Sequence, residues 1–181
     1  MSLVPSARRA RALVATAVAL ALALVLSGCQ PPLTLATFEQ RVHVDSLAEL
    51  RRWWVGEQAA LHRVSRSTVE RWVVDGSARL DDAAARSGAW DLSTDGCSFA
   101  PDAGPVFDFR WPCIRHDLAW RNLKRLDRQR GGGIDTRLRR LRANDRFLAD
   151  LGTSCRARPL VQRAACLVVA AAYAEAVDVA A

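Results

Sequence analysis

The stretch that decides the fold is residues 113–122, which read Cys-Ile-Arg-His-Asp-Leu-Ala-Trp-Arg-Asn. Proline is favoured at the first position of a helix, so the sequence predicts a helix over about 112–128 that starts at the proline or at the cysteine after it. Three glycines at 131–133 then interrupt the chain and predict a flexible connection. Another helix is predicted over about 135–151, and a last one begins near Arg163. The helices over 112–128 and 135–151 are expected to form a hairpin.

His116 and Asp117 are the polar pair at the centre of this stretch. Adjacent residues on a helix point about 100° apart, so the two side chains cannot form a relay with each other and must serve different groups. His116 shares an apolar stripe with Cys113, Trp120 and Leu123, which directs its ring into the interior. Asp117 leans toward the loop that precedes the helix.

A buried ring of His116 needs a hydrogen-bond partner for one nitrogen, which leaves the other nitrogen to accept a proton. The partner is expected on the second helix, where four apolar residues share one face: Leu141, Phe147, Leu148 and Leu151. Asn144 points almost along this face, whereas Asp145 points about 95° away. We therefore predict that Asn144 contacts His116. On this pattern alone, a histidine that only satisfies hydrogen bonds in the core is an equal alternative.

The first 28 residues have the pattern of a bacterial lipoprotein signal peptide. Three arginines lie within 8–11, and the apolar run over 12–26 is too short to span a bilayer comfortably. The residues Leu-Ser-Gly-Cys that end at Cys29 look like the lipobox at which such chains are cleaved and acylated. We expect an exported chain that starts at Cys29, is anchored by lipid to the outer face of the bacterial cell membrane, and has a tether over 29–44. An ordinary signal peptide with an incidental cysteine is the alternative.

Five cysteines are an odd number, which in an exported protein leaves one to be explained. Lipid on Cys29 leaves four, and an even set suits two disulfides outside the cytoplasm. Three pairings are possible. We favour Cys97 with Cys113 and Cys155 with Cys166, because each pair brackets a short polar or Pro/Gly-containing stretch between predicted helices. A metal site built from cysteines is disfavoured, since no Cys-x-x-Cys spacing is present.

The composition indicates one globular domain, expected over 45–181, because half of the residues are apolar and a quarter are charged. An Asp-Ser pair at 45–46 predicts the cap of a helix, and another helix begins near 67–68. Apart from a doubtful stretch at 106–109, no strand pattern is present, so the predicted fold class is all-α. Removal of the three arginines in the first 28 residues would lower the formal charge from +7 to +4. The excess lies in arginines and a lysine over 115–146, which could meet anionic lipid headgroups. Export argues against nucleic acid as a partner.

Three motifs resemble those of the secreted phospholipases A2 of prokaryotes and fungi. They are Asp95-Gly96-Cys97, the stretch 113–122, and Phe147-x-x-Asp150 followed by a cysteine. In that family the pattern reads Thr-Asp-x-Cys, then Cys-x-x-His-Asp-Phe-x-Tyr-Arg-Asn, then a helix with the aspartate that orients the histidine. The resemblance covers about 89–177. It is specific, because both cysteines, the His-Asp pair and Arg-Asn recur together in order.

The resemblance implies a small helical domain in which two long antiparallel, disulfide-linked helices carry the site. His116 resembles the general base that activates a water to attack the sn-2 ester carbonyl of a glycerophospholipid. Asp95 and Asp117 resemble carboxylate ligands of Ca²⁺, and Gly96 the position whose backbone carbonyl also binds the ion. No Gly-x-Ser-x-Gly nucleophile motif is present. We expect a monomer that acts at a membrane surface.

Two departures from the family pattern concern the packing and the base. Leu118-x-Trp120 stands where the family has Phe-x-Tyr, which loses a phenol. Asn144 stands where the family has its orienting aspartate, and an amide oxygen accepts a hydrogen bond from His116 without stabilising an imidazolium as a carboxylate does. Asn144 is therefore expected to reduce activity, and a noncatalytic membrane-anchored lipoprotein that keeps the scaffold for lipid or partner binding is the alternative function. Tyr173 matches a family tyrosine that could support the network around His116.

Overall fold

The computed structural model describes residues 32–76, 88–98, 100–132 and 136–179. Its regular elements, in chain order, are α1 (Leu35–Phe38), a π-helical segment (Glu39–Val44), α2 (Leu47–His62), α3 (Arg66–Asp75), α4 (Arg110–Gln129), α5 (Thr136–Arg156) and α6 (Leu160–Val179). These ranges contain no strand, and only an isolated antiparallel bridge joins Ala103 to Asp108. The predicted all-α fold class is confirmed. The predicted signal peptide and the acylated Cys29 lie outside the described residues.

The N-terminal segment differs from the predicted tether over 29–44. The hydroxyl of Thr34 accepts a hydrogen bond from the backbone N–H of Thr37 and caps α1, which begins three residues after Pro32. Phe38 and Val42, one helical turn apart, are fully buried in the core. Burial of this apolar face stabilises the helical conformation, and the compact helical unit begins at Leu33, within the range predicted as a tether.

Helices α2 and α3 support the loop that precedes α4. The side chains of Ser46 and Glu49 cap each other's backbone N–H groups at the start of α2. The sequence predicted a cap at 45–46 but not the part of Glu49. Further along this helix, Trp54 and Gln58 are buried and both donate hydrogen bonds to the carbonyl oxygen of Leu92, at 3.2 and 2.8 Å. These two hydrogen bonds fix the path of the loop at Leu92.

Helices α4 and α5 form the predicted antiparallel hairpin, since Arg115 contacts Asp150 while Trp120 contacts Arg140. Helix α4 begins at Arg110, before the predicted proline start, and α5 continues past the predicted end at Leu151. Arg115 and Asp150 form an ion pair at 3.1 Å, and both side chains are buried. Breaking a buried pair by removing one partner costs about 3–5 kcal/mol, so this pair holds the two helices in register.

Both predicted disulfides are confirmed, Cys97–Cys113 and Cys155–Cys166. The first joins the loop to α4, and the second joins α5 to α6. Both site helices thus carry a disulfide, as the predicted fold class requires. Each of α4 and α5 is joined by its disulfide to a neighbouring segment and not to the other helix. The contact between α4 and α5 is held by side-chain packing and by the buried ion pair. Each bridge closes a short loop and contributes about 3 kcal/mol in the chain-entropy view.

Helix α6 packs against α5 through one narrow face. Cys166 and Ala170 are buried on that face, and Tyr173 packs on Phe107 and Phe109. The hydroxyl of Tyr173 donates a hydrogen bond to the carbonyl oxygen of Pro101 at 2.5 Å. Tyr173 therefore fastens α6 to the loop, and its hydroxyl is not directed to the network around His116 that the sequence suggested.

Candidate active site

The ring of His116 meets the side chain of Asn144 across the hairpin. The distance from His116 Nε2 to Asn144 Oδ1 is 3.0 Å. Asn144 is buried, whereas its neighbour Asp145 is exposed to solvent. Ala143, Phe147 and Leu151 are buried on the same side of α5 as Asn144. Leu141 and Leu148, which the sequence predicted on this face, are about half exposed.

The proton positions on His116 follow from the partners of Asn144. Trp120 Nε1 donates to the same Asn144 Oδ1 at 3.3 Å. An indole N–H can only donate, so the amide oxygen, and not the amide nitrogen, faces both rings. Because that oxygen can only accept, neutral His116 carries its proton on Nε2. Its Nδ1 is then the basic nitrogen.

The imidazole of His116 forms part of the wall of a largely apolar cavity of about 540 Å³. Phe147 packs on the ring with a centroid distance of 4.8 Å. The other lining residues come from the disulfide-bonded loop, α4 and α6, and include Cys97, Trp120, Lys124, Ala172, Tyr173 and Val177. A cavity of this size and lining suits an acyl chain, with a basic nitrogen at its wall.

The loop that carries the predicted calcium ligands is held by the last residue of the quoted stretch. Asn122 is fully buried and exchanges two hydrogen bonds of 2.8 Å with the backbone of Asp91. Asn122, five residues after Asp117, therefore binds the loop to the same helix that carries His116. Sequence reasoning quoted Asn122 for the resemblance but assigned it no function. Its two hydrogen bonds hold the loop at a fixed distance from α4.

Asp117 points away from His116 and into this loop, as the helical rotation predicts. Its Oδ2 accepts hydrogen bonds from Thr94 Oγ1 at 2.7 Å and from the backbone N–H of Asp95 at 3.0 Å. Burial raises the pKa of Asp117 to about 7, and the nearby negative charge of Asp95 adds to the shift. In the absence of a cation, this carboxyl therefore tends to hold a proton near neutral pH.

Asp95 is the more exposed carboxylate of the pair and has its own counter-charge. Arg121 donates to Asp95 Oδ1 at 2.9 Å, and Ser98 donates to Oδ2 at 3.0 Å. Partial burial alone would raise the pKa of Asp95, but hydrogen bonds with Asp117, Arg121 and Ser98 outweigh it, and the pKa lies below its usual value. Asp95 thus stays ionised while Asp117 takes the proton. Neither Arg121 nor Ser98 was assigned a role from the sequence.

Gly96 takes a conformation that other residues adopt rarely, with φ at +73°. A Cβ atom at this position would come within 2.5 Å of Asp102 Oδ1. The same oxygen of Asp102 accepts a hydrogen bond from the backbone N–H of Cys97. The loop can therefore fold back on Asp102 only where the residue after Asp95 has no side chain.

The donor set in this loop fits a hard cation. Asp95 and Asp117 lie close enough to share a hydrogen bond, so one of them carries a proton that a cation would replace. Carboxylate and backbone oxygens are the ligands that Ca²⁺ prefers. Within the described ranges, no group of three or more His, Cys, Asp or Glu side chains is arranged to hold a metal. The protein would thus contribute two carboxylates, with backbone carbonyl oxygens completing the set.

Comparison with known proteins gives the family of the chain. A profile described as prokaryotic phospholipase A2 matches residues 67–181, which is more than half of the 181-residue chain. A protein named secretory phospholipase A2 from Arthroderma benhamiae is 42% identical over 65 residues, which cover 36% of this chain and 40% of that protein. The aligned part is thus less than half of that relative's length. The profile match includes both disulfides and all of the site residues described above, and the chain belongs to the prokaryotic phospholipase A2 family.

Proposed function

We propose that this protein hydrolyses the sn-2 acyl ester of glycerophospholipids in a calcium-dependent reaction, with His116 as the general base. The observation that carries the proposal is the hydrogen bond between His116 Nε2 and Asn144 Oδ1 at the wall of the apolar cavity. Membership of the phospholipase A2 family supports the substrate class. The name of the relative from Arthroderma benhamiae agrees with it.

The chemistry follows from the proton positions on the imidazole. Asn144 holds the Nε2 proton of His116, so Nδ1 accepts a proton from a water molecule. The oxygen of that water attacks the carbonyl carbon of the ester. His116 then returns the proton to the departing glycerol oxygen, which leaves a free fatty acid and a lysophospholipid. The apolar walls, with Phe147 against the imidazole, hold the acyl chain and exclude bulk water.

Asp95, Asp117 and the backbone carbonyl of Gly96 would hold the calcium ion. When bound, Ca²⁺ supplies positive charge that binds the phosphate and stabilises the oxyanion of the attacked ester. The loop residues keep these oxygens together, because Thr94 and the backbone of Asp95 position the carboxylate of Asp117. Arg121 keeps Asp95 ionised and in place.

The decisive experiment is the release of fatty acid from defined phosphatidylcholine and phosphatidylglycerol with different chains at sn-1 and sn-2. We expect the sn-2 chain to be released in the presence of calcium and not in the presence of a chelator. Release from sn-1, or equal release without calcium, would contradict the proposal. Binding of phospholipid with no release from any lipid would favour the noncatalytic lipoprotein, for which the neutral Asn144 is the supporting observation.

Replacement of Asn144 tests how far the amide limits the base. We expect Asn144→Asp to keep or raise hydrolysis, by up to about tenfold, because a carboxylate would stabilise the imidazolium that forms as His116 takes a proton. Burial of the new charge opposes this gain. Asn144→Ala should lower the rate, whereas Asp145→Ala, one residue away and exposed, serves as the matched control. A normal rate for Asn144→Ala together with loss of activity in Asp145→Ala would identify Asp145 as the true partner.

We further propose that the chain is exported and anchored through acylated Cys29. The secretory relative and the two disulfides support export. Mass spectrometry of the chain isolated from bacterial membranes should find an N-terminal cysteine that carries both a diacylglyceryl group and an amide-linked acyl chain, since lasting attachment needs more than one chain. Cys29→Ser should retain the first 28 residues. An unmodified terminus, or cleavage elsewhere, contradicts the anchor.

A further inference from the structure

Helix α6 exposes its apolar side chains to solvent. Leu160, Val161, Leu167 and Val168 are 77%, 91%, 49% and 73% exposed. Over Leu160–Val177 the mean hydropathy is 1.5, and only 11% of this window is buried. The charged residues in the window are Arg163 and Glu175. Soluble proteins rarely leave such a continuous apolar face uncovered.

By length and composition alone, this helix would be long enough to cross a membrane, which is weak evidence of a span. Its attachment to the domain argues against that orientation. Cys166 is bonded to Cys155 of α5, and Tyr173 is hydrogen-bonded to the loop at Pro101. A helix crossing the bilayer would carry the charged surface of α5 into the hydrocarbon with it, at a high cost. A helix with one side bound to its domain and the other apolar is suited to lie flat in the interface.

The exposed face continues into the wall of the cavity at His116. At 100° per residue, Val161, Ala165, Val168 and Ala172 form one stripe along α6. Ala172 also lines the cavity. The stripe therefore reaches the edge of the cavity at Ala172, and the exposed Glu175 follows one turn further along the same face.

We propose that the outward face of α6 lies on the surface of a phospholipid membrane, with the stripe that begins at Val161 in the boundary between headgroups and acyl chains. This inference rests on the proposed function, because it places the mouth of the cavity against the lipid. Lys124 lines the cavity and Arg140 packs over Trp120 beside it, so cationic groups lie next to the apolar face. Anionic headgroups would neutralise these charges. A second copy of the same face would bring like charges together, which disfavours a dimer here.

The first test compares two substrates for the full chain and its variants. Val161→Asp/Val168→Asp is expected to lower hydrolysis of phosphatidylglycerol vesicles about tenfold or more, since two charges would enter the interface. Hydrolysis of a short-chain phospholipid below its micelle concentration should stay unchanged, because neither valine lines the cavity. Val44→Asp is the matched control, since Val44 is also 73% exposed but lies on the π-helical segment. Equal rates on vesicles for both variants would overturn the inference.

The second test does not depend on activity, so it separates failure of this inference from failure of the proposed function. The full chain is added to vesicles of phosphatidylcholine and phosphatidylglycerol that contain a phosphatidylcholine with a diazirine in its acyl chain. After irradiation, the label is expected on peptides of α6 and not on those of α3. Label spread evenly over the helices would overturn the inference. So would a dimer in sedimentation that the double variant, but not Val44→Asp, dissociates.

Discussion

His116→Ala is expected to reduce hydrolysis of the sn-2 ester by about a thousandfold, within the range of roughly 10²–10⁴ that a general base contributes. The variant keeps the cavity, the loop and the predicted calcium ligands, but no group is left to take the proton of the attacking water. The fold should survive, because Trp120 still donates to Asn144. Initial rates of fatty-acid release at saturating calcium measure the effect.

His62→Ala is the matched control for this substitution. His62 ends α2 and packs edge-on against Trp72, so the same change in side chain occurs away from the cavity. We expect it to lower stability slightly and to leave the rate near that of the wild type. If His116→Ala hydrolyses the ester as fast as His62→Ala, the base is another residue and the proposed mechanism is wrong.

Asp117→Asn should abolish the stabilisation of the protein by calcium. At a calcium concentration about 100 times Kd, binding to the folded state stabilises it by about 2.7 kcal/mol, which corresponds to a rise in Tm of roughly 5–10 °C for a chain of this length. The amide keeps the hydrogen bonds from Thr94 and from the backbone of Asp95 but offers the ion no charge. Thermal unfolding with calcium and with chelator measures the shift. Asp145→Asn, which is exposed, should retain it; the same shift in all three proteins would show that the ion binds elsewhere.

Asp117 also makes a prediction for the calcium-free protein. Its pKa of about 7 lies above the value of about 3.9 for an unfolded aspartate. As the pH rises, the unfolded chain loses this proton first, so the free energy of unfolding should fall between about pH 4 and 7 and then level off. Asp117→Asn cannot ionise and should have a flatter profile and higher stability than the wild type above pH 7. Urea unfolding at pH 5 and pH 8 with chelator is the measurement, and an unchanged slope would contradict it.

The contact of His116 with Asn144 could be predicted because both residues lie on long helices with a clear apolar face. Of the four residues that predicted this face of α5, Phe147 and Leu151 are buried, and they lie on the side of Asn144 and not on that of Asp145. The two disulfides followed from the spacing of four cysteines between predicted helices. The helical period thus predicted the orientation of several residues together, and the choice of one disulfide determined the other.

Other features of the fold and the site depend on tertiary contacts that a local sequence pattern does not predict. Val42 lies in a π-helical segment whose period differs from that of an α-helix, so its burial could not be predicted from a spacing of about 3.6 residues. The pairing of Arg121 with Asp95 depends on how a loop without regular structure folds over α4. The hydroxyl of Tyr173 could face His116 or the loop, and the packing of the ring on Phe109 directs it to Pro101.

The bridge between Cys97 and Cys113 has a consequence for when the site assembles. It fastens the loop with Asp95 to the helix with His116, and its share of about 3 kcal/mol is large beside a total stability of roughly 5–15 kcal/mol. Thiols stay reduced in the compartment where a bacterial chain is synthesised. A newly made chain therefore holds the loop against α4 more weakly than the oxidised protein does. Under the export and the hydrolysis proposed above, this delay is a form of latency, because the site is least competent while the chain is still inside the cell that makes it.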